Sequence, residues 1–143
     1  MTRAHSSEDV SGVSKRYAGT GFVGHWRITW TEVWDSDALD LSGPAYIQFD
    51  EEGLGDFGMV AVRGWLDCRY GEREGRPAVE FSWAGDDNGD EASGRGWAIV
   101  DSDGSLRGLL FFHRGDESEF RATRGETPTS LKKVGTRRRP PVR

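Results

Sequence analysis

Apolar and polar side chains alternate most clearly at Phe22-Val23-Gly24-His25-Trp26-Arg27-Ile28-Thr29-Trp30-Thr31-Glu32-Val33-Trp34. Even positions up to 30 are Phe, Gly, Trp, Ile and Trp, while odd positions are mostly polar. Side chains along a strand alternate faces, so the segment predicts a strand with one ring-rich face. Turn-forming clusters then recur at hairpin intervals: Asp50-Glu51-Glu52-Gly53, the stretch Gly71 to Pro77, Asp101-Ser102-Asp103-Gly104 and Arg114-Gly115-Asp116. They bound strands predicted over 22–31, 45–50, 55–70, 77–84, 95–101, 105–113 and 117–123. Residues 35–42 have room for one short helical turn, and no segment sustains a helical period.

The third of these segments is long for one strand. Phe57, Met59 and Ala61 share one face, and Val60, Val62, Leu66, Cys68 and Tyr70 the other. A break near Arg63-Gly64 would raise the count to eight. Sequential hairpins without long crossovers predict an all-β fold, an antiparallel up-and-down meander closed into a small barrel, because closure removes the edges. A two-sheet β-sandwich is the alternative. Met59-Val60-Ala61-Val62 and Leu109-Leu110-Phe111-Phe112 are apolar on both faces. Either terminal segments or the 35–44 loop cover them, or they form a homodimer interface.

Composition places one domain on this pattern. The 143 residues include 20 Gly and six Trp, which favour short strands and turns over helices. Residues 1–18 read as a disordered lead, 19–124 as the barrel and 125–143 as a disordered basic tail. The tail from Lys132 carries Lys132, Lys133, Arg137, Arg138, Arg139 and Arg143 without an acid, whereas residues 19–131 hold 22 acids against 10 bases. Such a body repels nucleic acid, leaving the tail as its one route to that partner. Cys68 is the single cysteine, which excludes an internal disulfide and suits a reducing compartment. No leader-like or membrane-length apolar run is visible, so a soluble cytoplasmic protein is expected.

Gly24-His25-Trp26 on the first strand, with Phe120-Arg121 on the last, resembles the calycin superfamily of barrels: lipocalins, fatty-acid-binding proteins and avidins. That resemblance implies that Trp26 closes one barrel end against a basic residue of the final strand. Arg121 matches that residue by position, and Arg124 less well. The body also resembles a family of small uncharacterised bacterial proteins. This likeness covers about residues 22–123 and rests on Trp34-Asp35-Ser36-Asp37, Asp40-Leu41, Pro44-Ala45, Asp67-Cys68-Arg69-Tyr70, Glu80-Phe81-Ser82-Trp83 and Ser93-Gly94-Arg95-Gly96-Trp97. It implies no named activity.

Candidate chemistry is sparse. If the alternation holds, Trp26, Ile28, Trp30, Ile47, Phe49, Val79, Phe81, Trp83, Trp97, Leu110 and Phe112 point inward. They then form a filled core or line a pocket for a small apolar or aromatic ligand, with Arg121 at its mouth. Asp67, Arg69 and Glu80 would be its polar floor if their face is internal, and otherwise a solvated ion-pair group. Asp86-x-Asn88-x-Asp90 begins like a calcium loop, but Glu91 and Trp97 stand where Gly and Glu are required. Cys68 reads as a core residue, His25 and His113 lack a nucleophile motif, and Ser93-Gly94-Arg95-Gly96 precedes no helix that would aim amides at a phosphate. No catalytic residue, metal or cofactor is assigned.

The expectation is therefore a non-catalytic binding module. It would hold a small apolar ligand in the barrel, or a protein partner on an outer face, most simply a second copy through Met59–Val62 and Leu109–Phe112. The alternatives are an enzyme using Asp67, Arg69, Glu80 or His113 inside the barrel as acid–base groups, and an adaptor acting through the basic tail.

Overall fold

The structure, a computed structural model, describes residues 21–125. The expectations for the lead and for the tail beyond Gly125 lie outside the described residues. Eight strands follow in chain order: β1 (Gly24–Thr31), β2 (Tyr46–Phe49), β3 (Leu54–Met59), β4 (Val62–Arg73), β5 (Arg76–Asp87), β6 (Asp90–Val100), β7 (Leu106–Phe112) and β8 (Glu117–Gly125). Each pairs antiparallel with the next, and β8 returns to β1, so the sheet closes into a barrel. Among the described residues one helix, α1 (Ser36–Leu39), lies between β1 and β2. The expected up-and-down barrel is the observed fold, with eight strands.

Two hairpins run further than their sequences suggest. Glu74-Gly75 and Asn88-Gly89 are two-residue loops with positive φ at both positions, the backbone that matches the twist of paired strands. The acidic stretch from Asp86 to Glu91 is thus a tight hairpin, with Asp87 paired to Asp90. The expected third strand breaks at Val60-Ala61, three residues before the anticipated Arg63-Gly64. Val60 takes φ 56°, unusual for a β-branched residue. Its amide donates to the Leu39 carbonyl at 2.8 Å, and its side chain packs on the core.

The interior is built from rings seated against glycines. Phe57 faces Gly64, Phe81 faces Gly96, Trp83 faces Gly94 and Phe120 faces Gly108 across adjacent strands. A Cβ at Gly96 would stand 2.5 Å from Phe81 Cζ, and one at Gly108 2.6 Å from Phe120 Cε1. Ile28, Ile47, Leu66, Val79, Ala98, Leu106, Leu110 and Ala122 fill the space between. Trp83 satisfies its indole N–H by donating to the Phe111 carbonyl at 3.2 Å.

Both mouths are plugged. At one, Phe22 packs on Phe49 and Tyr70, with ring centroids 5.7 Å apart in both pairs. At the other, Trp34 meets Phe112 at 5.8 Å, and Leu39 of α1 is buried in the same cluster. Asp35 caps α1 by accepting from the Ala38 amide at 2.9 Å. The loop after α1 is tied down by a forked pair: Arg27 donates to both Asp40 oxygens, at 3.0 and 2.8 Å, and to the Ala45 carbonyl at 3.0 Å. Asp40 also accepts from the Ala45 amide at 2.9 Å.

Two outcomes follow from this packing. Gly64→Ala forces a methyl against Phe57 and to 2.7 Å from Trp83 Cε3. It should cost about 2–3 kcal/mol, with part recovered in the double variant with Phe57→Leu, read from denaturant midpoints. The Arg27 hydrogen bond, with lesser help from the Ala45 amide, holds the Asp40 carboxyl below its usual range. A carboxyl depressed on folding stabilises the fold above its unfolded value and loses that contribution as pH falls through the folded one. Stability should therefore drop below about pH 4, and Asp40→Asn should flatten that limb while costing on the order of 1 kcal/mol at pH 7, since both side chains are about a third exposed.

Candidate functional site

The sequence-predicted site residues separate into two sets. Trp26, Phe49, Phe81 and Trp83 are buried in the barrel with Phe112 beside them, as the alternation predicts. Trp30 and Trp97 do not point inward. Between Ile28 and Trp30 the β1–β8 register shifts by one residue, so Thr29 and Trp30 both face outward and Thr31 returns to the interior. Trp30 is 45% exposed as a result. Trp97 stands between Glu80 and Leu109 on the outer face, because the inward positions of β6 are Gly94, Gly96 and Ala98.

Asp67, Arg69 and Glu80 are likewise outside, which corrects the reading of a polar pocket floor or of interior acid–base groups. Arg69 donates to Asp67 at 2.7 Å, with both side chains mostly exposed, and Glu80 lies 3.8 Å from Arg73. Exposed His113 sits in the β7–β8 turn rather than in the barrel. Cys68 is buried, and its burial pushes the thiol up to about 12, so it stays protonated and unreactive near neutral pH.

At the first mouth, Trp26 is 1% exposed and donates from Nε1 to the Phe22 carbonyl at 2.9 Å. The arginine over its ring is Arg124, whose Cζ lies 4.1 Å from the centroid. Arg124 also donates to the Val23 and Gly21 carbonyls at 2.7 and 2.9 Å. Gly24, at φ 125°, leaves it room: a Cβ there would lie 2.7 Å from the guanidinium. Arg121, the residue expected by position, sits outside over Trp30 at 6.0 Å. The first-strand tryptophan, the last-strand arginine and the eight-stranded meander together give a layout consistent with that of the calycins.

The outer face carries a surface that the sequence reading missed. A trough of about 1280 Å³ crosses β4, β5 and β6 toward the Asn88-Gly89 hairpin. Small residues, Ser82, Ala84 and Ser93, form its floor; Leu54, Trp65 and His113 stand around it. Three carboxylates line it, those of Asp67, Asp86 and Glu91. Among the described residues, neither Asp86 nor Glu91 forms an ion pair with an arginine. A shallower depression of about 440 Å³ continues the trough, sharing Asp67 and Ser82. Its cations are engaged: Arg73 covers Trp97 at 4.2 Å, and Arg95 covers Phe111 at 5.0 Å. The signal legible in the sequence is the run of small outward residues, Ala84 and Ser93, in register with Trp65.

A second missed feature is a polar relay outside β1–β3. His25 stacks on Tyr46 at 5.4 Å and lies 3.2 Å, by Nδ1, from Gln48 Oε1. Gln48 and Tyr46 donate to the two Asp56 oxygens, at 2.9 and 2.5 Å. Burial, with the Asp56 charge adding to it, pushes the Tyr46 hydroxyl upward, so it remains a donor. The four side chains satisfy one another and knit three strands together.

No family model matches the chain, and no curated protein or solved structure is significantly similar to it. The likeness to a family of small bacterial proteins gains no support from these searches. Its strings have local structural roles instead. Asp35 caps α1, Asp40 anchors Ala45, and Gly94 and Gly96 seat Trp83 and Phe81.

The two tryptophan–arginine pairs should behave differently. Trp26→Ala should cost at least about 3 kcal/mol and Arg124→Ala about 1–2, whereas Trp30→Ala and Arg121→Ala should each stay below about 1 kcal/mol in urea unfolding. Equal costs for the two pairs would contradict the assignment of Arg124 as the mouth residue.

Proposed function

We propose that the chain is a non-catalytic binding module whose working surface is the outer trough of β4–β6, taking an extended segment with apolar and cationic side chains. The supporting observation is the trough itself, with an aromatic wall at Trp65, a floor of small residues and three carboxylates. The inward rings lie against the glycines opposite and against one another, which favours the filled core over a pocket for a small ligand. A cationic side chain entering the trough meets Asp86 and Glu91, neither ion-paired with an arginine among the described residues, and its apolar neighbours can lie on Leu54 and beside Trp65, over which Arg63 sits at 5.7 Å.

The homodimer reading has less to work with. Met59 and Val62 are buried at the barrel end, beneath the Leu39–Val60 contact. On the other strand, Leu110 points inward, and Arg95 covers Phe111 on the outside.

A fluorescein-labelled octapeptide of alternating Leu and Lys tests the proposal by anisotropy at low salt. The full chain should bind it, and affinity should fall at least about tenfold in Trp65→Ala and in Asp86→Asn/Glu91→Gln, with Trp30→Ala unchanged. Absence of binding, or equal loss in Trp65→Ala and Trp30→Ala, would remove the trough as the site.

A further inference from the structure

The body and the residues that follow it use different cations. Lys occurs only at positions 15, 132 and 133, so every base between Arg16 and Lys132 is arginine. Of these arginines, Arg27, Arg69, Arg73 and Arg107 are held in ion pairs, and Arg63, Arg95, Arg121 and Arg124 lie over rings. Planar guanidinium groups suit both arrangements better than an ammonium does. The body's cations are therefore largely committed locally, while Asp86 and Glu91 in the trough have no arginine partner among the described residues. Residues 126–143 supply the complement: two lysines and four arginines, with Leu131, Val134 and Val142 among them, and a single acid, Glu126.

Reach agrees with charge. β8 ends at Gly125, paired with His25 at the mouth closed by Trp26. The β6–β7 and β7–β8 registers place Ser93 and Glu91 roughly ten to twelve residues further along the barrel wall, about 33–40 Å from Gly125. Two to three strand spacings of about 4.8 Å separate β8 from β6 and β5. An extended chain covers about 3.4 Å per residue, so Lys132 can lie up to about 24 Å from Gly125 and Arg139 up to about 48 Å. The basic stretch from Lys132 to Arg139 thus brackets the distance to Asp67, Asp86 and Glu91.

We infer that the segment 126–143 of the same chain docks in the β4–β6 trough, with Lys132 and Lys133 toward Asp67 at its nearer end and Arg137–Arg139 against Asp86 and Glu91. This rests on the trough being a binding surface for cationic, apolar segments, and it adds that external ligands enter by displacing the chain's own segment. A tethered segment acts at an effective concentration near millimolar, so it competes strongly even when its intrinsic affinity is modest.

Two measurements on the full chain test the inference. Zero-length carbodiimide coupling joins amines to carboxylates, and the described body has no lysine to compete. Couplings from Lys132 and Lys133 should concentrate on Asp67, the trough carboxylate within their reach, within one chain in a mixture of ¹⁴N and ¹⁵N protein, and should fall at least about fivefold in 0.5 M NaCl. Second, replacing Lys132, Lys133, Arg137, Arg138 and Arg139 by Gln should tighten binding of the Leu–Lys octapeptide about tenfold. Coupling to Asp50, Glu51 and Glu52 instead, or between isotopically distinct chains, overturns docking within the chain. Equal octapeptide affinity with and without the five substitutions overturns it while leaving the trough as a binding site. No octapeptide binding by either protein removes the trough reading beneath it.

Discussion

Every other feature of this barrel depends on the opposition of rings and glycines across adjacent strands. An eight-stranded barrel has a nearly fixed interior, just wide enough for side chains to fill. Phe57, Phe81, Trp83 and Phe120 fit into it because Gly64, Gly96, Gly94 and Gly108 offer no side chain opposite. Each buried ring contributes on the order of 2–3 kcal/mol through burial, and nearby atoms have little freedom to move aside. Register is fixed by the same device. A one-residue slip of β6 would turn Trp97 inward against Phe81 and Trp83, and the interior could not hold all three.

Closure of the ends follows from that filled centre. The chain supplies a different plug at each mouth. Trp26 and Phe22 close one beneath Arg124, whose burial lowers its basicity and whose donors are spent on the Val23 and Gly21 carbonyls. Trp34 and Leu39 close the other, held by the Arg27–Asp40 fork. The Val60-Ala61 turn completes that end, its amide bonded to α1, which is how a β-branched residue comes to occupy a left-handed position. A run that is apolar on both faces, Met59 to Val62, is thus a covered turn.

The number and order of strands were legible in the sequence because turn residues and a period of two carry them directly. What escaped was set by single-residue offsets. The β1–β8 bulge leaves the apolar pattern intact up to Trp30 while reversing that residue's face. In β6 the inward positions are glycine and alanine, so the large outward Trp97 and Ile99 mimic a core face. Arg121 follows Phe120 directly and so matches the expected pattern, but the register sets Arg124 opposite Trp26 and Arg121 opposite Trp30. Asp67, Arg69 and Glu80 were correctly grouped on neighbouring strands, yet parity alone could not say which face was outside. Asn88-Gly89 is a strong hairpin signal, and what the sequence leaves out is how far the pairing runs, up to Asp87 and Asp90.

The same packing logic shapes the outer wall. The core spends its volume on rings, and on the outer wall the residue sizes are reversed. β5 and β6 place Ser82, Ala84 and Ser93 outside, opposite the large Trp83 and beside the glycines that seat it. Small residues outside and large ones inside produce a depression on the external face where the long β4–β5–β6 hairpins continue. Aromatic side chains left outside are paired: Arg73 covers Trp97, Arg95 covers Phe111, and Arg63 lies over Trp65 at a looser 5.7 Å. Trp65 is therefore the trough's least firmly covered aromatic, with Arg63 5.7 Å from its centroid and the carboxylates lining the same trough. Arg63 makes at Trp65, more loosely, the arrangement that Arg73 makes at Trp97 and Arg95 at Phe111.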